Sequence, residues 1–175
     1  MAVTSPNNIY SPDPNDPASL TIALKAMADS IQAEFTRRSG TGVANRDSNI
    51  SKPNTATPSP VSLTDFSVEG ETIEAVSNGF KVLVPGPYLV TGAVRFENNP
   101  DGRRGCGVWV NGGTSVGGGS AASYGNATQG NHSTTRNFST FIVLDAGDVL
   151  TLWSWQNSGV VLAEESARLG VARMS

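Results

Sequence analysis

GPYLVTGAVRF, residues 86–96, decides the fold. Tyr88, Val90, Val94 and Phe96 alternate with Leu89, Thr91, Ala93 and Arg95. A period of two predicts a long β-strand with one face buried. The pattern continues on both sides. Asn99-Pro100-Asp101-Gly102 is a turn sequence, and a strand follows from Arg103 through Val108, Trp109 and Val110. Asn111-Gly112 is a hairpin dipeptide. FSTFIVL (138–144), the turn Asp145–Asp148 and VLTLWSWQ (149–156) predict a strand, a tight turn and a return strand. VVLA (160–163) and ARLGVARM (167–174) read as two more, and DFSV (65–68), TIEAV (72–76) and FKVLV (80–84) as three before residue 86. About nine short strands at this spacing predict a mostly β chain, an antiparallel sandwich of the jelly-roll kind.

Composition agrees. The chain has 175 residues, enough for one domain, or one domain and an appendage, with a core of its own. Its 19 Gly and 10 Pro argue against a helical bundle. A net charge of −3 leaves no basic surplus for nucleic acid. Cys106 is the single cysteine and His132 the single histidine, which excludes an internal disulfide and a multi-Cys metal site, so no metal or cofactor is expected. No apolar run approaches the length of a membrane-spanning helix, and residues 1–17 lack the cations and apolar run of a signal peptide. Synthesis in a cytoplasm without membrane insertion is the expectation.

The residues sort near position 60. Seven of the ten Pro lie in residues 1–60; seventeen of the nineteen Gly and all three Trp lie in 61–175. Three segments are expected: an N-terminal arm with a helix (1–40), a semi-extended linker (41–61) and a head (62–175). Asp16 is a good N-cap with Pro17 after it, and Leu20, Leu24, Met27, Ile31 and Phe35 form one helical stripe. Arg37 and Arg38 suit the last turn, and Gly40 can end it. The stripe either packs on the head or meets copies of itself or a docking partner, serving as anchor and trimerising helix. A chain beginning near residue 60 is expected to fold alone.

Strand 149–156 is apolar on both faces: Leu150 and Leu152 on one, Val149, Trp153 and Trp155 on the other. The second face calls either for a subunit contact or for cover from loops of the same chain. Segment 112–137 is Gly-, Ser- and Asn-rich and predicts long loops with at most a weak strand. Within it Tyr124, Asn126, Gln129, Asn131, His132 and Arg136 suit contact with a receptor or glycan, or are ordinary solvated residues. Nothing predicts catalysis. No G-x-S-x-G elbow is present, Gly117-Gly118-Gly119 lacks the Gly-Lys-Ser/Thr of a phosphate loop, and Asp145 and Asp148 read as turn carboxylates.

GPYLVTGAVRF (86–96), GVWVNG (107–112), VLDAGDVLTL (143–152) and RLGVARM (168–174) together resemble the jelly roll of the complement component one subunit q and tumour necrosis factor family, over residues 62–175. The resemblance implies a trimer around a three-fold axis; the calcium sites of some members find no matching acidic cluster. Residues 7–36, with Asp16-Pro17 and ALKAMADSI (23–31), resemble the attachment segment of minor structural proteins of tailed phages, especially those of actinobacteria. Together they imply a non-enzymatic virion protein. It would be a homotrimeric tail fibre or tail-tip appendage, held to another virion protein through residues 1–40, its head meeting a host-surface glycan. A capsid decoration or head fibre is the alternative. A carbohydrate-binding or cytokine-like module is the alternative of another class.

Overall fold

The computed structural model describes residues 2–4, 9–11, 20–112, 122–128 and 132–174. Strands β1 (Ala2–Thr4) and β2 (Ile9–Ser11) form a two-stranded ribbon, followed by helix α1 (Leu20–Arg38). Strands β3 (Gly40–Arg46), β4 (Ile50–Lys52), β5 (Thr55–Pro60), β6 (Asp65–Gly70), β7 (Ile73–Val76) and β8 (Gly79–Val82) come next. They are followed by β9 (Gly86–Phe96), β10 (Arg103–Val110), β11 (Ala122–Asn126), β12 (Thr134–Leu144), β13 (Val149–Gln156) and β14 (Leu162–Arg173). Two six-stranded antiparallel sheets face each other. The first runs β12-β9-β14-β3-β6 with β4 beside β14, and the second runs β11-β10-β13-β8-β7 with β5 beside β13. Asp16 and Pro17, the expected start of the helix, lie outside the described residues.

The alternation in 86–96 does what its period requires. Tyr88, Val90, Val94 and Phe96 are buried between the sheets, meeting Phe80, Leu150, Leu152 and Leu169. The one polar tip among them is satisfied, since Tyr88 Oη donates to the carbonyls of Val84 and Thr72 at 2.6 and 3.1 Å.

Three expectations need correction. Residues 40–60 are not a spacer. They supply β3, which sits between β14 and β6, and β4 and β5, which cap β14 and β13. The head therefore begins at Gly40. The pattern GTGVANR is concealed because Gly40 and Gly42 occupy buried positions where a side chain would strike Thr72 or the Phe80 ring. Second, the two final strands are one. β14 carries a bulge between Glu164 and Ser166, so Leu162 and Glu164 point inward before it and Ala167, Leu169 and Val171 after it. The extra residue shifts the parity and hides the continuity from a period-two reading. Third, the strand found beside β10 does not stand in the register of a two-residue turn at Asn111-Gly112. Both residues have positive φ (57° and 69°), but β10 pairs with β11 only from Gly107↔Ala122 backward. The Asn111 side chain instead reaches the neighbouring turn, donating to Asp148 Oδ1 at 2.7 Å and accepting from the Val149 amide at 2.9 Å.

What binds the 40–60 segment to the rest is a charge cluster sealed in one end of the sandwich. Arg46, Lys52, Ser154, Gln156 and Glu164 are all buried. Glu164 stands 3.2 Å from Arg46 Nη2 and 3.4 Å from Lys52 Nζ, and accepts from the Ser154 hydroxyl. Arg46 spends its remaining donors on the carbonyls of Ser48 and Ser62, and Lys52 donates to Ser59 Oγ at 2.7 Å. Burial pulls the Lys52 amine below its ordinary pKa, against the attraction of Glu164.

Candidate functional site

The described side chains of the apolar stripe on α1 face solvent. In α1, Leu24, Ile31 and Phe35 are 52%, 61% and 67% exposed, with Met27 beside them. Leu20 opens the helix. An apolar face of this size on a helix is suited to partner contact and does not serve the head's core.

The second apolar face of β13 is partly covered within one chain. Trp153 is fully buried: its ring lies 6.0 Å from that of Trp109, and β5 pairs alongside it with Pro60 in register. Trp155 lies over Gly105, where a Cβ would come within 2.3 Å of its indole nitrogen, and Val149 is half-buried. Trp153 thus has no bare surface to give a second subunit. At Trp153 cover comes from the chain itself, while Val149 and Trp155 stay half-buried.

The uncovered apolar face lies on the other sheet. Phe141 and Val143, on edge strand β12, are 69% and 80% exposed. The register carries this face inward across the sheet: Phe141↔Leu89, Leu89↔Ala172 and Ala172↔Thr41, with the row Thr91↔Gly170↔Val43 beside it. Val43, Leu89, Thr91, Gly170 and Ala172 line a shallow depression of about 240 Å³. Two projecting apolar side chains at the sheet edge thus share a face with a mostly apolar hollow whose lining also includes Arg168. Towards the other end the same face turns polar, with Asn45, Asp47, Arg95 and Arg168 around a cleft of about 500 Å³. Reasoning from sequence passed over Phe141 and Val143 although the signal was present. FSTFIVL is apolar at both parities, the argument applied to 149–156 and not to its neighbour.

The expected contact loops are partly a strand. Tyr124 and Asn126 belong to β11 and are exposed, and His132 is exposed just before β12. Arg136 lies within β12, points inward and donates through Nη2 to the Asn126 carbonyl. Gln129 and Asn131 lie outside the described residues. Cys106 is enclosed in the core, and burial, the larger effect against the nearby Arg136 charge, pushes its thiol up to about 12. The folded protein should therefore resist iodoacetamide at pH 8 and label only after unfolding. Stoichiometric labelling of native protein, read by mass spectrometry, would show that the core opens at this strand. Among the described residues no group of three or more His, Cys, Asp and Glu is placed to hold a metal.

No protein-family model matches the chain, and the comparison with curated proteins finds no match. Solved structures do match. Murine APRIL is 15% identical with a TM-score of 0.53, over 77% of this chain and 99% of that one. Vertex protein P5 of PRD1 is 14% identical with a TM-score of 0.58, over 78% and 97%. The globular domain of zebrafish complement 1qA protein is 16% identical with a TM-score of 0.51, over 75% and 94%. At these identities the likeness is one of fold, and the fold is the one anticipated from residues 86–96: a jelly roll of the kind found in tumour necrosis factor-like and complement 1q-like domains.

Proposed function

We propose that the chain is a non-enzymatic virion appendage that assembles as a homotrimer, is attached through residues 1–40 and presents the jelly roll outward. The observation that carries the reading is the ridge and hollow on the first sheet. A projecting Phe141–Val143 edge beside a depression lined by Leu89, Gly170 and Ala172 is complementary to a second copy of itself in a head-to-tail sense. A heterologous contact of that kind closes into a ring when its rotation allows. The exposed stripe on α1 enters the first sheet directly, since Ser39 alone separates Arg38 from β3. Three heads so joined would bring three such stripes together, and attachment to another virion protein would cover what they leave bare. Between the two placements, the likeness to a vertex protein favours a capsid position over a tail tip.

Light scattering on the purified chain should give three times 18.2 kDa. Phe141→Asp with Val143→Asp should return it to 18.2 kDa while the melt stays cooperative, because neither side chain contributes to the core. A monomeric wild type, or a double variant that still elutes as a trimer, would overturn this assembly.

A further inference from the structure

Three neighbouring strands of the second sheet set an aromatic row beside a polar one. Tyr124 on β11, Gly105 on β10 and Trp155 on β13 are successive ladder partners and therefore share one face of the sheet. That face is the outer one, because Cys106 and Ser154, the next residues on β10 and β13, are buried between the sheets. Tyr124 is 63% exposed and Trp155 is half-buried. Gly105 presents no side chain between them. The Trp155 indole leans across it toward β11, into the space a Cβ would take.

Two residues further along each strand, about 7 Å away, the row turns polar. Asn126 is the ladder partner of Arg103. Asn157 joins Arg103 from the other side, its amide donating to the Arg103 carbonyl at 3.1 Å and its Oδ1 accepting from the Arg103 amide at 2.6 Å. With Asp101 these three line a cleft of about 460 Å³. All four are exposed, and no ion pair among the described residues includes Asp101 or Arg103. The wall thus carries a carboxylate, two side-chain amides and a guanidinium, and its two opposite charges offset each other.

A pyranose has the matching anatomy. Its ring C–H groups form an apolar face that packs on an aromatic ring, while its hydroxyls radiate from the ring edge and need acceptors and donors beside that ring. A wall holding one cation and one carboxylate gives no advantage to a charged ligand. We infer that this end of the second sheet is a binding site for a neutral saccharide, one sugar ring resting on Tyr124 and Trp155 with its hydroxyls bonded at Asp101, Asn126 and Asn157. The site lies on the sheet opposite the Phe141–Val143 face, so it belongs to one chain and does not depend on the trimer.

The test is saturation-transfer NMR and a fluorescence titration of the full chain with methyl pyranosides of glucose, galactose and mannose and with an N-acetylglucosamine trimer. Sorbitol, which has hydroxyls and no ring face, is the control. At least one sugar should bind through its ring C–H protons, and sorbitol should not. Tyr124→Ala, at an exposed side chain, should keep the melt and weaken binding about tenfold. Asn126→Ala should weaken it about three- to tenfold. The Phe141→Asp, Val143→Asp double variant should bind each sugar as wild type does, and a loss there would overturn a site carried by one chain. Absence of binding by every sugar, an equal signal from sorbitol, or undiminished affinity in Tyr124→Ala overturns the site. Binding of methyl glucuronide tenfold tighter than that of methyl glucoside overturns its neutral class.

Discussion

A chain beginning at residue 61 is expected not to fold, whereas one beginning at Gly40 is expected to melt cooperatively. The shorter chain lacks β3, and with it the strand that joins β14 to β6. Ala44 leaves the core, and Pro60 no longer lies in register beside Trp153. Arg46 and Lys52 go as well, so Glu164 is left in an apolar enclosure with the Ser154 hydroxyl as its remaining side-chain partner. An uncompensated buried charge alone costs about 3–5 kcal/mol, a large part of the 5–15 kcal/mol that holds a typical domain together. The loss of a central strand adds to it. Far-ultraviolet circular dichroism and a melt on the two chains decide the matter. A cooperative transition from residues 61–175 would show that 40–60 is dispensable, as its composition predicts.

The second large effect is expected from Glu164→Ala. Removing the one acid of the cluster leaves two buried cations facing each other, and the fold should lose about 3–5 kcal/mol in urea unfolding. Replacing all three charges by apolar residues of similar size, Arg46→Met, Lys52→Met and Glu164→Leu, should recover most of it, because the desolvation cost of all three charges is removed together. The pH dependence carries a sign. Burial lowers the Lys52 pKa from 10.5 in the folded state, so the unfolded chain binds the extra proton. Stability then rises with pH between the folded value and 10.5. Without Glu164 the folded value falls further, and the rise should begin at lower pH. A loss below about 1 kcal/mol would place the cluster with exposed pairs in its energetics.

The sheet core was legible because period-two alternation and burial are the same fact seen twice: Tyr88, Val90, Val94 and Phe96 read as buried and are. Boundaries failed where backbone chemistry replaces side-chain pattern. GTGVANR looks like a linker because two of its four inward positions are glycines that make room for Thr72 and Phe80. GVVLAEESARL looks broken because a bulge places Glu164 inward, and an acidic residue at a core position reads as a turn until Arg46 and Lys52 are found 118 and 112 positions away. No local window holds that information. The site residues divide similarly. The exposed α1 stripe was readable from spacing alone. Trp153 was misplaced because its cover, β5, comes from the stretch taken as a linker. Arg136 was expected in a loop, and its inward turn depends on Gly125 across a strand boundary.

The position of β14 has a consequence for synthesis. It follows every other strand of the two sheets in the sequence, yet it stands between β9 and β3 and holds the acid of the buried cluster. Until it leaves the ribosome, the first sheet has a gap at its centre, with β3 and β6 on one side and β9 and β12 on the other. The earlier strands must therefore wait as an unclosed, aggregation-prone chain, with the exposed helix already available for contact. Chains cut short by a premature stop would keep helix α1 and lose the head. Assembly would gain a checkpoint wherever incorporation demands the closed jelly roll as well as the helix.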